Sequence, residues 1–215
     1  MSFAIREYAR LRTHAYHLTD VTNTQTLRRW GEMLSSAILL DRAGLRQDIG
    51  TRRRELKTIV VDGCQLVLKD QKPLVLKNAA LAAGWTERDF VAHLDNHVFF
   101  WPGGADGPIK HDARLFDSYD AKTTAVLRVR TDELFAANPS NPPLFCPFNS
   151  GAPRQQKGRP VPRGLDLFLP ADRFPRTVGK VVELVFRGSA ALPLTTEVRN
   201  GAGWTLLTEF DADEG

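Results

Sequence analysis

The dipeptide Asp62-Gly63 constrains the fold of this chain more than any other pair of residues. It sits between Thr58-Ile59-Val60-Val61 and Gln65-Leu66-Val67-Leu68, two short β-rich runs, with Cys64 opening the second. Asp-Gly readily adopts the positive φ angles of a two-residue hairpin turn, so the two runs are predicted to pair antiparallel. Strand patterns recur at residues 15–19, in His97-Val98-Phe99-Phe100-Trp101 before Pro102-Gly103-Gly104, at residues 125–129, and in Val181-Val182-Glu183-Leu184-Val185-Phe186. A closing hairpin joins residues 195–199 to 204–210 across Asn200-Gly201. Helices are expected over residues 1–12, from Thr22 or Asn23 to a stop at Gly31, from 36 to about 46, over 77–83 and over 86–94. Strands and helices do not alternate in βαβ units, so the class predicted is α+β with antiparallel sheets rather than a doubly wound sheet.

A length of 215 residues with 42% apolar and 25% charged content fits one globular domain spanning 1–215. Residues 136–164 carry Pro139, Pro142, Pro143, Pro147, Pro153, Pro160 and Pro162 and read as one long loop, of a length that is usually functional. No apolar run reaches the roughly 18 residues of a membrane span. The charged N-terminal stretch lacks the apolar core of a secretory signal, and two cysteines form no framework. A cytoplasmic protein without membrane attachment is expected. The net charge of +4 is unevenly placed. Arg42, Arg46, Arg52, Arg53, Arg54 and Lys57 crowd one segment, and Arg154, Lys157, Arg159 and Arg163 another that has no acid. Such patches attract phosphate, of a nucleotide or a nucleic acid; the alternative is a solvated surface.

The candidate chemical groups are few. His17 and Thr19 have the same parity on a strand end and share a face, which suits a polar ligand. Glu183 stands alone in an apolar strand and must face water, an arginine or a ligand, or else lie on the wet side of an edge strand. His93 and His97 have metal-compatible spacing but no third ligand, so no metal is expected and two surface histidines at a helix end are. Cys146 reads as a small buried residue or, without a basic partner, a nucleophile. Phosphate-loop, nucleophile-elbow and dinucleotide-fold motifs are absent.

These residues carry a resemblance. His17-Leu18-Thr19, then Asn23 and Leu27, then Gly31 and Leu34-Ser35, resemble the opening of DarT-type ADP-ribosyltransferases. Ile49-Gly50-Thr51-Arg52-Arg53-Arg54 is similar to their arginine-bearing segment, the 97–102 strand to their Y-V-P-F-Y-F strand, and Val182-Glu183-Leu184-Val185 to the strand with their catalytic glutamate. The order of motifs, with the turn Asp70 to Pro73, Asn149-Ser150-Gly151 and Arg163-Gly164, also resembles an uncharacterised bacterial domain family related to that group. The likeness covers about residues 14–200. The strand lacks the P-R-S-P sequel, and residues 69–85 form an insertion.

The resemblance implies an ADP-ribosyltransferase-like fold, an antiparallel split β-sandwich with flanking helices, and a transferase that consumes NAD⁺ without a metal. Glu183 would be catalytic, with Arg52 or Arg53 pairing pyrophosphate or orienting the target. His17, Thr19, Asn23, Gly31 and Leu34 would hold the NAD⁺, and Phe100 and Trp101 would wall the nicotinamide or else pack in the core. The acceptor would be a DNA or RNA base facing the basic loop, in a bacterial toxin or defence setting with an antitoxin-like partner. NAD⁺ hydrolysis and a non-catalytic nucleotide- or nucleic-acid-binding module are the alternatives.

Overall fold

The computed structural model describes residues 5–71, 74–76, 80–109, 120, 122–153, 155–156, 158–201 and 203–211. Five helices lie among them: α1 (Ile5–Leu11), α2 (Asn23–Trp30), α3 (Ser36–Arg42), α4 (Glu87–Asp95) and α5 (Thr131–Ala137). The strands are β1 (His14–Asp20), β2 (Glu32–Leu34), β3 (Lys57–Val61), β4 (Cys64–Leu68), β5 (His97–Gly104), β6 (Gly107–Pro108), β7 (Thr124–Arg130), β8 (Leu144–Cys146), β9 (Gln155–Gln156), β10 (Arg159–Pro160), β11 (Glu183–Arg187), β12 (Ser189–Ala191), β13 (Glu197–Arg199) and β14 (Thr205–Leu206). The fold is α+β. Its central sheet runs β14-β13-β7-β1-β5-β11-β8, with β6 beside β5, and each neighbouring pair is antiparallel.

One detail of register shapes everything that follows. β1 pairs with β7 over its whole length, from His14↔Arg130 to Asp20↔Thr124. It pairs with β5 only at His14↔Gly103, Ala15↔Pro102 and Tyr16↔Trp101. The other half of β5 turns to β11, from Leu184↔Phe100 to Arg187↔His97. The sheet therefore divides beyond Tyr16 and Trp101, and backbone groups at the fork need other partners. Both halves share one core, in which Ala15, Phe100, Leu127, Phe145, Leu184 and Phe186 are fully buried. Burial of each large side chain stabilises by roughly 1.5–3 kcal/mol, so the halves are held together through this core despite the fork.

The Asp62-Gly63 turn forms as the sequence requires, with φ of 51° and 76°. Alternation on its strands sends Ile59, Val61, Leu66 and Leu68 inward against Leu39 and Leu40 of α3. Ser35 caps α3 by accepting from the Ile38 N–H, and Thr86 and Asp89 form a reciprocal capping box at α4. Asn23 fastens the hairpin to α2: its Nδ2 donates to the Val67 carbonyl at 2.9 Å and its Oδ1 accepts from the Val67 N–H at 2.8 Å.

Several expectations need correction. Residues 136–164 are not one loop, because Leu144-Phe145-Cys146 is the edge strand β8, paired with β11 and bridged by Phe145 to Leu169. Prolines 142, 143 and 147 flank these three residues and so leave their N–H groups intact. α3 ends at Arg42, and a separate 3₁₀ turn covers Arg46–Asp48. Residues 77–79 of the helix expected at 77–83 lie outside the described residues; 80–83 are not helical, and Leu81 instead bridges Arg163. Pro102-Gly103-Gly104 continues β5 rather than ending it, since Gly103 and Gly104 find partners in β6. Finally, β11 lies between β5 and β8, so Glu183 is not on an edge strand.

Candidate active site

A cavity of about 350 Å³ opens where the sheet divides, within the size range of small-molecule sites. His17 and Thr19 line it from β1, Phe99 and Glu183 from the β5–β11 half, Trp101 from the fork itself, and the β3–β4 hairpin closes it through Leu66, Val67 and Leu68. His17 and Thr19 therefore stand together on its wall, with Leu18 between them. His17 Nδ1 lies 2.7 Å from the Phe99 carbonyl, which can only accept, so Nδ1 carries the proton. This bond spans the fork and occupies a carbonyl that β1 leaves unpaired. Burial drives the His17 pKa down to about 4, with the Lys69 ammonium acting in the same direction against the Phe99 carbonyl. The ring is therefore neutral at pH 7, and its Nε2 keeps a lone pair that can accept from a hydroxyl. Thr19 Oγ1 accepts from Asn23 Nδ2 at 2.9 Å, which leaves its own hydroxyl hydrogen to donate.

Asn23 lines the cavity, but Thr19 and the Val67 carbonyl already engage its two amide hydrogens. It positions Thr19 and the hairpin. Leu34 is part of the wall, whereas Gly31 is not: it ends α2 in the left-handed region at φ 66°, its N–H donating to the Leu27 carbonyl. Of Phe100 and Trp101, only one faces the cavity. Trp101 lines it, with its ring 6.3 Å from that of His17. Phe100 is fully buried and packs edge-on against Phe186, so it is a core residue.

Glu183 is only 4% exposed, and its Oε1 accepts from the Ser150 N–H at 3.0 Å. A carboxylate is thus held at the cavity wall among apolar strand neighbours. That placement excludes the wet-face alternative.

Arg53, not Arg52, reaches the cavity. Its Nη1 donates to Asp95 Oδ1 at 2.9 Å, its Nη2 to Ser36 Oγ at 3.2 Å and its Nε to the Lys69 carbonyl at 3.2 Å. Three of five guanidinium N–H groups are so engaged, and two remain for a ligand. Asp95 also accepts from the Gly50 N–H and from Gln71 Nε2, both at 3.2 Å. Burial pushes its carboxyl up, while Arg53, Gly50 and Gln71 pull it back. Lys69, also on the wall, donates to Thr124 Oγ1 at 3.0 Å, and burial lowers its pKa against Asp20 and Asp70.

Asp95, Gln71 and Lys69 are site residues that sequence reasoning missed. One signal existed: Asp95 stands in the last turn of α4, where the helix dipole disfavours an acid, so it needed a cation elsewhere.

The remaining candidates resolve differently. His97 is buried at 6% exposure rather than on the surface, with Nδ1 2.7 Å from the His93 carbonyl and the two rings 4.9 Å apart. Among the described residues no three His, Cys, Asp or Glu side chains gather as a metal site. Cys146 is fully buried in the core. The first basic segment is largely matched internally: Arg42 pairs with Asp62, Arg46 with Asp41, Lys57 with Asp48 and Arg53 with Asp95. In the second, Arg154 and Lys157 lie outside the described residues, Arg159 is exposed, and Arg163 is buried at 2% exposure.

The depressed histidine pKa values make an acid-lability prediction. His17 and His93 are lowered to about 4, and His97 is lowered too, in each case first by burial. Below pH about 6.5 the unfolded chain takes up these protons and the folded chain does not, so stability falls as pH drops toward 4. One pKa unit is about 1.4 kcal/mol. The loss expected between pH 7 and pH 5 is about 2 kcal/mol for enclosed His17, with a smaller, solvent-screened share from His93. Urea denaturation at the two pH values measures it, and a flat profile would contradict the buried neutral rings.

A family model described as a family of unknown function (DUF7002) matches residues 13–194. The chain belongs to this family. The matched span contains His17, Thr19, Arg53, Asp95, Trp101 and Glu183, so the whole cavity lies within the matched region. No curated protein and no solved structure matches the chain. Among the described residues, no helix is long and apolar enough to cross a membrane.

Proposed function

We propose that this cavity binds NAD⁺ and that the protein is an ADP-ribosyltransferase-like enzyme, with a DNA or RNA base as acceptor. The observation carrying this reading is the meeting, at the fork of a divided antiparallel sheet, of His17 and Thr19 from one half with Glu183 from the other. This supports a split β-sandwich of the ADP-ribosyltransferase kind, and it brings together groups that lie far apart in the sequence.

The chemistry follows from the side chains. Breaking the bond between ribose C1′ and the nicotinamide nitrogen releases neutral nicotinamide and moves positive charge onto the ribose, as in glycoside cleavage. A carboxylate fixed in a poorly solvated wall stabilises that charge strongly, because it needs no reorganisation as the charge forms. Glu183 supplies it, and as a base it can take the proton of the incoming nucleophile. Neutral His17 accepts from, and Thr19 donates to, the ribose hydroxyls. The two unused N–H groups of Arg53, with Lys69, suit the diphosphate. Trp101 offers the nicotinamide a flat wall.

NAD⁺ labelled in its adenylate half, incubated with the protein with and without DNA or RNA, tests the acceptor. Mass spectrometry is expected to find ADP-ribose on the nucleic acid. Free ADP-ribose alone would make the protein a hydrolase, unchanged NAD⁺ would make it a binding module, and labelled protein alone would reject the nucleic-acid acceptor. An antitoxin-like partner is part of the same proposal.

A further inference from the structure

Arg163 is the largest fully buried side chain among the described residues, and no carboxylate among them pairs with it. Its Nη1 donates to the Ser150 carbonyl at 3.0 Å and the Ala152 carbonyl at 3.4 Å, and its Nη2 donates to the Val75 carbonyl at 3.0 Å. The guanidinium lies over the Phe90 ring, 4.5 Å from its centroid. A buried cation satisfied only by backbone carbonyls and an aromatic face is costly to keep. Burial lowers the Arg163 pKa accordingly. Its role must lie in what it holds.

It holds the turn at 149–152. There the Gly151 N–H donates to Asn149 Oδ1 at 2.9 Å, and the Val75 N–H donates to the Gly151 carbonyl at 2.9 Å. The product of this arrangement is the Ser150 N–H aimed at Glu183 Oε1. The turn follows β8, whose Cys146 lies opposite Glu183 in the sheet, so strand pairing sets the glutamate backbone and the Ser150 N–H holds its Oε1. The Asn149-Ser150-Gly151 and Arg163-Gly164 motifs are thereby joined in one device.

We infer that Arg163 is the positioning residue of Glu183, acting through the Ser150 amide to fix the carboxylate's orientation. This rests on the proposed role of Glu183, but the contact itself can be tested without NAD⁺. A backbone N–H bonded to a carboxylate favours ionisation, so loosening the turn should raise the Glu183 pKa. Arg163→Lys and Arg163→Gln, with carboxyl ¹³C titration of glutamate-labelled protein and Glu183→Gln to assign the signal, should show that rise. Nicotinamide release should fall about tenfold while NAD⁺ affinity is kept, and the acid limb of its pH profile should move upward. Phe90→Leu, which removes the ring under the guanidinium and keeps every charge, should give a smaller shift in the same direction and serves if the Arg163 variants fail to fold. A raised Glu183 pKa in a protein that never cleaves NAD⁺ would uphold the positioning role and reject the transferase reading. Folded variants with an unchanged Glu183 titration would overturn the inference.

Discussion

Glu183→Gln is expected to reduce nicotinamide release from NAD⁺ by about 10³-fold, the scale on which a fixed electrostatic stabiliser contributes to catalysis. The substitution keeps shape, and its amide oxygen can still accept from the Ser150 N–H at the position Oε1 holds. Folding should change by no more than about 1 kcal/mol, so the loss of rate reports lost charge rather than lost structure. Chromatographic assay of nicotinamide beside a thermal melt separates the two. Turnover equal to wild type would remove Glu183 from the chemistry.

The second large effect is on stability. Arg53→Ala should destabilise the protein by about 3–5 kcal/mol, because it strands the Asp95 carboxylate without its cation. The Asp95 side chain has no exposed surface and that of Arg53 only 11%. For a chain of this size such a loss is a fall in melting temperature on the order of 10 °C. The deficit relative to wild type should shrink as pH is lowered toward 5, since Asp95, already pushed up by burial, can then protonate and lose its uncompensated charge. Asp95→Asn combined with Arg53→Met should recover part of the loss for the same reason. Melts of the single and double variants at pH 7 and 5 check both expectations, and a deficit that grows on acidification would contradict the ion-pair account.

How far the sequence led is best seen at particular residues. Short apolar runs and the Asp62-Gly63 turn located β1, β3, β4, β5, β7, β11, β13 and β14, because run composition and turn chemistry are local. Parity put His17 and Thr19 on one face, and both line the cavity. A lone glutamate in an apolar strand pointed to water, an arginine or a ligand, or to a wet edge; Glu183 is instead buried at the cavity wall, with the Ser150 N–H on its Oε1. The failures are non-local. β8 is three residues between prolines and becomes a strand only because β11 lies beside it. Arg163 read as part of an exposed basic loop, but the carbonyls that bury it come from residues 75, 150 and 152. Asp95 and Arg53 are 42 residues apart, and no local pattern pairs them. Phe100 and Trp101 are adjacent in one strand, yet Phe100 packs on Phe186 in the core while Trp101 lines the cavity.

Titration calorimetry of the wild-type protein with NAD⁺ tests the central claim most directly. One NAD⁺ is expected to bind per chain, with affinity preserved in Glu183→Gln and weakened about tenfold in His17→Ala, which loses both the acceptor nitrogen and the bond across the fork. Absence of NAD⁺ binding, or equal affinity in the His17 variant, would contradict the assignment of this cavity as an NAD⁺ site.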